Sequence, residues 1–163
     1  MADFTHFTQE GRPQMVNVGE KDETQRIAIA TGKVLVGKAT LSTIAEGGLK
    51  KGDVLSVAQL AGIMGAKKTS ELIPLCHPLA LSHIDVALEL NKAACTIDIR
   101  AECRLKGQTG VEMEALTAVG VTALTIYDMC KAIDKEICIT DIKLVHKSGG
   151  KSGGKSGDFN AND

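Results

Sequence analysis

Between Thr109 and Ile133 the chain is apolar almost throughout, and no charged residue falls from Ala115 to Tyr127. A helix through that stretch is apolar on both faces, so it must be covered twice, by its own sheet and by something else. Its ends nevertheless carry Glu112, Glu114, Asp128 and Lys131. Ionisable groups at the margins of a buried segment are unfavourable unless paired or used, which makes these residues the first candidates for chemistry.

The remaining elements follow from period and punctuation. Met1 to about Lys21 contains Gly11 and Pro13 with little periodicity and reads as an extended arm over 1–21. Arg26 to Val36 is rich in Ile and Val and reads as a strand, with Gly32 marking a candidate bulge. Thr40 to Glu46 suggests a short helix ended by Gly47 and Gly48. Asp53 caps a second helix, in which Val54, Val57, Ala58, Ala61 and Met64 recur at helical spacing and Lys67 and Lys68 sit near the C-terminal end. Ile84, Val86, Leu88 and Leu90 then alternate with polar residues. After a turn at Asn91 to Ala93, Cys95, Ile97, Ile99, Ala101, Cys103 and Leu105 do the same, the pattern of an antiparallel hairpin with one buried face. Thr109-Gly110-Val111-Glu112 has the form of a capping box opening the long helix. Glu136 to His146 reads as a last strand. The order β, α, α, β, β, α, β predicts an α+β, ferredoxin-like split βαβ fold with an antiparallel sheet and one additional helix. A single domain spans 22–147 and a Gly/Ser/Lys-rich tail spans 148–163.

Composition excludes several functions. The 163 residues suit one domain with a real core. A net charge of -1 gives no general attraction to nucleic acid, and 2% aromatics leave no stacking platform for single strands. Cys76, Cys95, Cys103, Cys130 and Cys138 are odd in number with no C-x-x-C pair, which fits neither a disulfide framework nor a structural zinc site. No signal peptide and no membrane-length apolar run is visible, so a cytoplasmic protein is expected.

Each candidate site has a bland alternative. Ile73-Pro74-Leu75-Cys76-His77-Pro78-Leu79 holds two of the three prolines. They forbid a helix and bias His77 toward extended geometry, so Cys76 and His77 are presented in fixed directions. A rigid connector with an incidental histidine explains the same residues, although histidine is the side chain that titrates near neutrality. Glu112 has work enough as the third position of a capping box; Glu114 does not. Glu114 and Asp128 differ by about 40° in azimuth and so share a helix face, but lie roughly 21 Å apart along the axis. Either they serve different subsites, or an oligomer brings the start of one helix to the end of another; the apolar outer face favours the oligomer. Asp128 and Lys131 are helical neighbours whose simple ion pair is worth only about 0.2–0.5 kcal/mol. Their apolar flanks predict partial burial instead, which lowers a lysine pKa and makes a proton-transfer unit. From Gly149 to Ser156 the tail satisfies G-x-x-x-x-G-K-[ST] literally. A P-loop must feed a helix, and only seven residues follow Ser156, so that reading fails.

Taken together these segments resemble the cyclic pyranopterin monophosphate synthase family of molybdenum cofactor biosynthesis, from about Met15 to Phe159. The resemblance is carried by Met15-Val16-Asn17-Val18, Lys51-Gly52-Asp53-Val54, Leu72 to Leu79, Thr109 to Leu116, Leu124 to Ala132 and the Lys-Ser-Gly-Gly-Lys-Ser-Gly-Asp-Phe ending. It implies a homo-hexamer, a trimer of dimers, with active sites at subunit interfaces. It implies a lyase-type conversion of 3′,8-cyclo-7,8-dihydroguanosine 5′-triphosphate to cyclic pyranopterin monophosphate, with release of pyrophosphate. By the same resemblance Asp128 and Lys131 are catalytic, while Lys51, His77, Glu112 and a tail lysine share their pocket. Leu75, Cys76 and His77, with Met113 and Glu114, match substrate-binding segments. No resident cofactor is implied, with Mg²⁺ beside the triphosphate left open. A triphosphate needs several cations, for which Lys51, Lys147 and either Arg26 or Lys67 are available. The tail carries one more Lys-Ser-Gly-Gly repeat than the family pattern. Aligned from the preceding strand the pocket lysine is Lys147; aligned from Gly157-Asp158-Phe159 it is Lys151. The strand favours Lys147. The alternative from another class is an oligomeric regulator that binds a nucleotide without turnover.

Overall fold

The computed structural model describes residues 5–47 and 53–150 and the backbone of 155–156. Strand β1 (Thr24–Leu35) runs through the middle of an antiparallel sheet between β3 (Thr96–Gly107) and β4 (Cys138–Ser148). Strand β2 (His83–Asn91) flanks β3 and the short β5 (Lys155–Ser156) flanks β4, giving the order β2-β3-β1-β4-β5. Period-two burial explains the layering: Ala28, Ala30 and Val34 of β1, and Ile97, Ile99, Ala101, Cys103 and Leu105 of β3, are buried on one face. β1 and β2 are both antiparallel to β3 and therefore parallel to each other, as are β3 and β4 around β1. This is the split βαβ arrangement, so the ferredoxin-like α+β expectation holds.

Helices α1 (Lys38–Ala45) and α2 (Val54–Lys67) follow β1, and α4 (Glu112–Cys130) joins β3 to β4. The additional helix is α1; a four-residue turn of helix, α3 (Thr69–Leu72), was not foreseen. Asp53 caps α2 as expected, accepting from the amides of Leu55 at 3.0 Å and Ser56 at 3.2 Å. The stripe that α2 buries is only partly the expected one, which Val54 and Ala58 bear out and Val57 and Met64 do not. Val54, Ala58, Gly62, Gly65 and Ala66 turn inward, while Val57, Leu60 and Met64 are exposed. Both faces of α2 are apolar, and close packing on α4 selects the one with small residues: a Cβ on Gly62 would overlap the Thr122 hydroxyl and come within 3.1 Å of the Ala118 carbonyl. Helix α4 lies on the sheet through Ala115, Ala118, Val119, Ala123 and Ile126, with α2 at its flank. Leu124 and Tyr127 remain exposed, so the second cover is only partial within one chain.

Three local expectations are corrected. Cys95 is in the hairpin turn at φ 53, in the left-handed region, and β3 begins at Thr96. Gly32 pairs regularly with Ile99 and stands opposite one of two irregularities, whose extra residues lie not in β1 but in β4. There Thr31 and Lys33 oppose Lys143 and Thr140, while Ile29 and Ala30 oppose His146 and Leu144, so β4 accommodates an extra residue at each place. Asp141, at φ 56, turns the chain at the first of these, a conformation that Asp tolerates better than most residues. Finally β4 starts at Cys138 and ends at Ser148, carrying Lys147 into the sheet opposite Ala28.

Asp134, just after α4, ties that end of the helix to the start of α1. Its carboxylate accepts from the Gly37 amide at 2.7 Å and the Glu136 amide at 3.0 Å. The bond from Gly37, then those from Glu136 and Thr40, hold its pKa below the ordinary 3.8 despite burial. Asp134→Ala leaves two amides without their acceptor and is expected to reduce stability by about 1–3 kcal/mol. Because the folded-state pKa is depressed, the carboxylate contributes fully above pH 3.8 and loses its contribution as pH falls through the folded value. Denaturant unfolding should therefore show the gap between variant and parent at neutral pH and its narrowing in acid.

Candidate active site

The N-terminus of α4 and the end of β4 meet at one ion pair. Lys147 Nζ donates to Glu112 Oε1 at 3.1 Å. The capping box therefore does not form: Val111 is the N-cap, with no side-chain cap bond, and Glu112 is the first helical residue. Its carboxylate is used across the fold on β4. A cleft of about 550 Å³ opens beside this pair, lined by Lys21, Thr24, Arg26, Glu112, Lys147 and the Gly149–Gly150 turn among others. Arg26 Nε and Nη2 donate to the carbonyls of Gly107 and Gln108, both at 3.2 Å, which fastens the loop before α4 to β1. Gly149 and Gly150 follow β4 at φ 90 and 87. A Cβ on the first would overlap the Gln25 carbonyl, and on the second the Arg26 guanidinium, so only glycine brings the backbone this close. Thr24 Oγ1, in the same wall, is the buried side-chain polar atom without a hydrogen-bond partner among the described residues.

A second cleft of about 380 Å³ lies on the other side of Glu112. Leu75, Cys76, His77, Met113 and Glu114 line it, closed by Val16 and Val18 of the arm. Lys21, Thr109, Gly110 and Glu112 belong to both clefts. His77 Nε2 donates to the Val16 carbonyl at 2.7 Å, so the arm fixes the ring. Glu114 is only 4% exposed. Burial first, and then the charge of Glu112, push its pKa from 4.5 to about 7, against a lowering backbone hydrogen bond. Burial, and then Glu114, raise the Cys76 thiol and push Cys103 up to about 12, so both are protonated at neutral pH and poor nucleophiles.

The raised carboxyl gives a pH prediction. The folded state disfavours the charged form of Glu114, so its penalty is absent below the ordinary 4.5 and grows until pH passes the folded value of about 7. Glu114→Gln removes that penalty. Thermal unfolding at pH 8 should show the variant gaining stability on the parent, relative to their difference at pH 4.

Asp128 and Lys131 stand elsewhere. Asp128 Oδ1 and Lys131 Nζ are 2.6 Å apart, but their side chains are 65% and 55% exposed, so the expected partial burial is absent. The hydrogen bond and charge of Asp128 raise the lysine pKa instead of lowering it. Nor do Glu114 and Asp128 share an environment, since the loop before β2 covers the first and leaves the second at the open end of α4. At about 1.5 Å per residue, Glu112 and Lys131 are roughly 28 Å apart along the helix. The structure thus gathers Leu75, Cys76, His77, Glu112, Met113, Glu114 and Lys147 around one divided cleft and leaves Asp128 and Lys131 at the far end of α4. Lys50 and Lys51, Gly48 and Lys151 lie outside the described residues. Lys67 lines neither cleft, whereas Arg26 does. Sequence reasoning missed Lys21, Thr24 and the arm's Val16 and Val18 as lining residues. Nothing in their spacing marks them, because a chain crossing between arm and sheet brings them together. Lys155 and Ser156 pair with Lys147 and His146 as a strand, which is not the helix a P-loop requires. No group of three or more His, Cys, Asp and Glu side chains suited to a metal ion occurs among the described residues.

Residues 15–150, which span the arm's end, strands β1 to β4 and the divided cleft, match the model of the MoaC family. The chain belongs to the MoaC family. It is similar to the cyclic pyranopterin monophosphate synthase of Rhodospirillum rubrum, at 61% identity over 91% of this chain and 89% of that protein. It is similar to the protein of the same name from Roseiflexus sp., at 57% identity over 100% of both chains. Molybdenum cofactor biosynthesis protein 1 of Homo sapiens is 54% identical over 96% of this chain, which corresponds to 24% of that longer protein. No helix among the described residues is long and apolar enough to cross a membrane.

Proposed function

We propose that this chain converts 3′,8-cyclo-7,8-dihydroguanosine 5′-triphosphate to cyclic pyranopterin monophosphate and pyrophosphate, as a lyase of molybdenum cofactor biosynthesis. The observation that carries this reading is the divided cleft. One chamber is lined by Lys21, Arg26 and Lys147 and presents an unpartnered hydroxyl, Thr24 Oγ1, suited to a triphosphate. The other is lined by Val16, Leu75, His77 and Glu114, suited to a flat heterocycle with polar edges. Similarity over full length to proteins named for this activity supports the same reading.

In the closing step a sugar hydroxyl attacks the α-phosphorus. A new P–O bond forms, the bond to pyrophosphate breaks, and the hydroxyl proton passes to a base. The cations of the first chamber meet the charge that develops on the leaving pyrophosphate. Lys131 is assigned as the proton donor of the ring rearrangement: within one chain Asp128 raises its pKa, and burial of the pair in a completed site lowers it toward working pH. Because one chain leaves that lysine far from Glu112, the site is completed by a second copy. The exposed apolar residues of α2 and α4 (Val57, Leu60, Met64, Leu124 and Tyr127) support assembly, and we assign a homo-hexamer built as a trimer of dimers. No resident cofactor is assigned; any Mg²⁺ arrives on the triphosphate. The enzyme is placed in the cytoplasm.

Phosphorus NMR of the purified protein with the cyclic dihydroguanosine triphosphate tests the reaction. A cyclic phosphodiester resonance together with free pyrophosphate is expected. Saturable binding with an unchanged triphosphate spectrum would instead establish a nucleotide-binding regulator.

A further inference from the structure

We propose that Glu112 is an exchangeable partner that couples the two chambers: an anion entering the first takes Lys147 away from it, and its freed carboxylate then grips the amide and amino N–H groups of a heterocycle in the second. This deepens the function proposed above and rests on that assignment of the chambers.

Two observations place Glu112 at the divide. It lines both clefts, and among the described residues its side-chain hydrogen bond is the 3.1 Å contact from Lys147, which lines only the first. The two side chains are 29% and 35% exposed, so the pair is partly shielded from water and neither charge is well solvated alone. An oxyanion in the first chamber competes for Lys147 at close range, and a carboxylate left beside that anion is repelled by it. The free energy falls if Glu112 finds other donors. Toward the second chamber it faces an aminopyrimidinone edge, whose adjacent ring N–H and exocyclic amino group match a carboxylate bidentately. The loop leaves room for the carboxylate. A Cβ on Gly110, which also lines both clefts, would overlap Glu112's carboxylate.

Coupling of this kind is reciprocal. Isothermal titration of the intact protein with tripolyphosphate and guanosine as separate probes reads it directly. In the parent, saturating guanosine should tighten tripolyphosphate by at least about fivefold, the lower end of ordinary coupling between sites, and tripolyphosphate should tighten guanosine by the same factor. Glu112→Gln should bind tripolyphosphate more tightly than the parent, bind guanosine more weakly, and lose the coupling. In a Lys147→Ala background, Glu112→Gln should tighten tripolyphosphate by clearly less than in the parent, because only the relief of repulsion remains. The proposal is overturned by independent binding in the parent, by weaker or unchanged tripolyphosphate binding in Glu112→Gln, or by a tightening that is equally large without Lys147. Turnover is read separately by phosphorus NMR. A protein that turns over substrate without coupling keeps its function and loses this inference; coupling without turnover does the reverse.

Discussion

Lys131→Ala is expected to lower turnover by about 10²–10⁴-fold, the range typical for losing a positioned proton donor. That corresponds to about 3–5 kcal/mol of transition-state stabilisation. The fold should be untouched. The side chain is more than half exposed, its pair with Asp128 is an exposed helical one, and the backbone bond from the Lys131 amide to the Tyr127 carbonyl, 2.9 Å long, does not need the side chain. Lys131→Arg keeps the charge and distinguishes a proton donor from a mere counter-ion: a donor is not restored by guanidinium, which does not give up its proton. The distance along α4 adds a sharper test. Mixed assemblies of Lys131→Ala with Lys147→Ala chains, each inactive alone, should regain activity, because intact ends of two different helices then meet in some sites. Pyrophosphate release that stays at parent level in Lys131→Ala, or no regain in mixtures, would remove Lys131 from the site.

The largest stability effect is expected at Gly62. Substitution by leucine gains helix propensity worth about 1 kcal/mol. It also drives a side chain into the seam between α2 and α4, where even a Cβ meets the Thr122 hydroxyl and, at 3.1 Å, the Ala118 backbone carbonyl. Thr122 is stiff, being β-branched and bonded to the Ala118 carbonyl at 2.8 Å, and a backbone carbonyl does not step aside. The clash should win by a wide margin, with a net loss of about 3 kcal/mol, at the upper end of ordinary overpacking. Gly120→Ala on α4 is the control. A Cβ there meets nothing within 4 Å, so the variant should be neutral or slightly more stable. Denaturant midpoints of the two variants that shift alike would show that the seam is looser than described.

How far the sequence could be read follows from what each signal depends on. The hairpin, the Asp53 cap and the course of α4 rest on local periodicity and capping, and local rules place them within a few residues. Strand order came from element order, because two crossover helices on one face leave few ways to arrange the strands. Failures came where two local rules competed or where a distant residue decided. Thr109-x-x-Glu112 satisfies the capping box by spacing, but Lys147, 35 residues away in sequence, takes the carboxylate. On α2 both faces are apolar, so hydrophobicity alone does not say that glycine and alanine, not Val57 and Met64, face α4. At Asp128 and Lys131 apolar neighbours suggested burial, yet of these Ile126 alone turns fully into the core, Ala132 and Ile133 are themselves exposed beyond the end of α4, and the pair stands in the open. The arm's place beside His77 has no signal at all in spacing. It is visible only once the Val16 carbonyl is seen accepting from the ring.

The irregular strand β4 also sets a rule for how this chain can change in length. From Val34 to Ala28 is six steps along β1, while the residues opposite them, Ile139 and Lys147, are eight steps apart. Each surplus residue is absorbed as a bulge, so pairing resumes in step beyond it and Lys147 still meets Ala28 and reaches Glu112. Deleting Val145, the surplus residue between Leu144 and His146, would leave His146 opposite Ile29 and Lys147 opposite Ala28, so the pocket's lysine survives the loss of one residue there. The two irregularities are the joints at which β4 can change in length without moving its end.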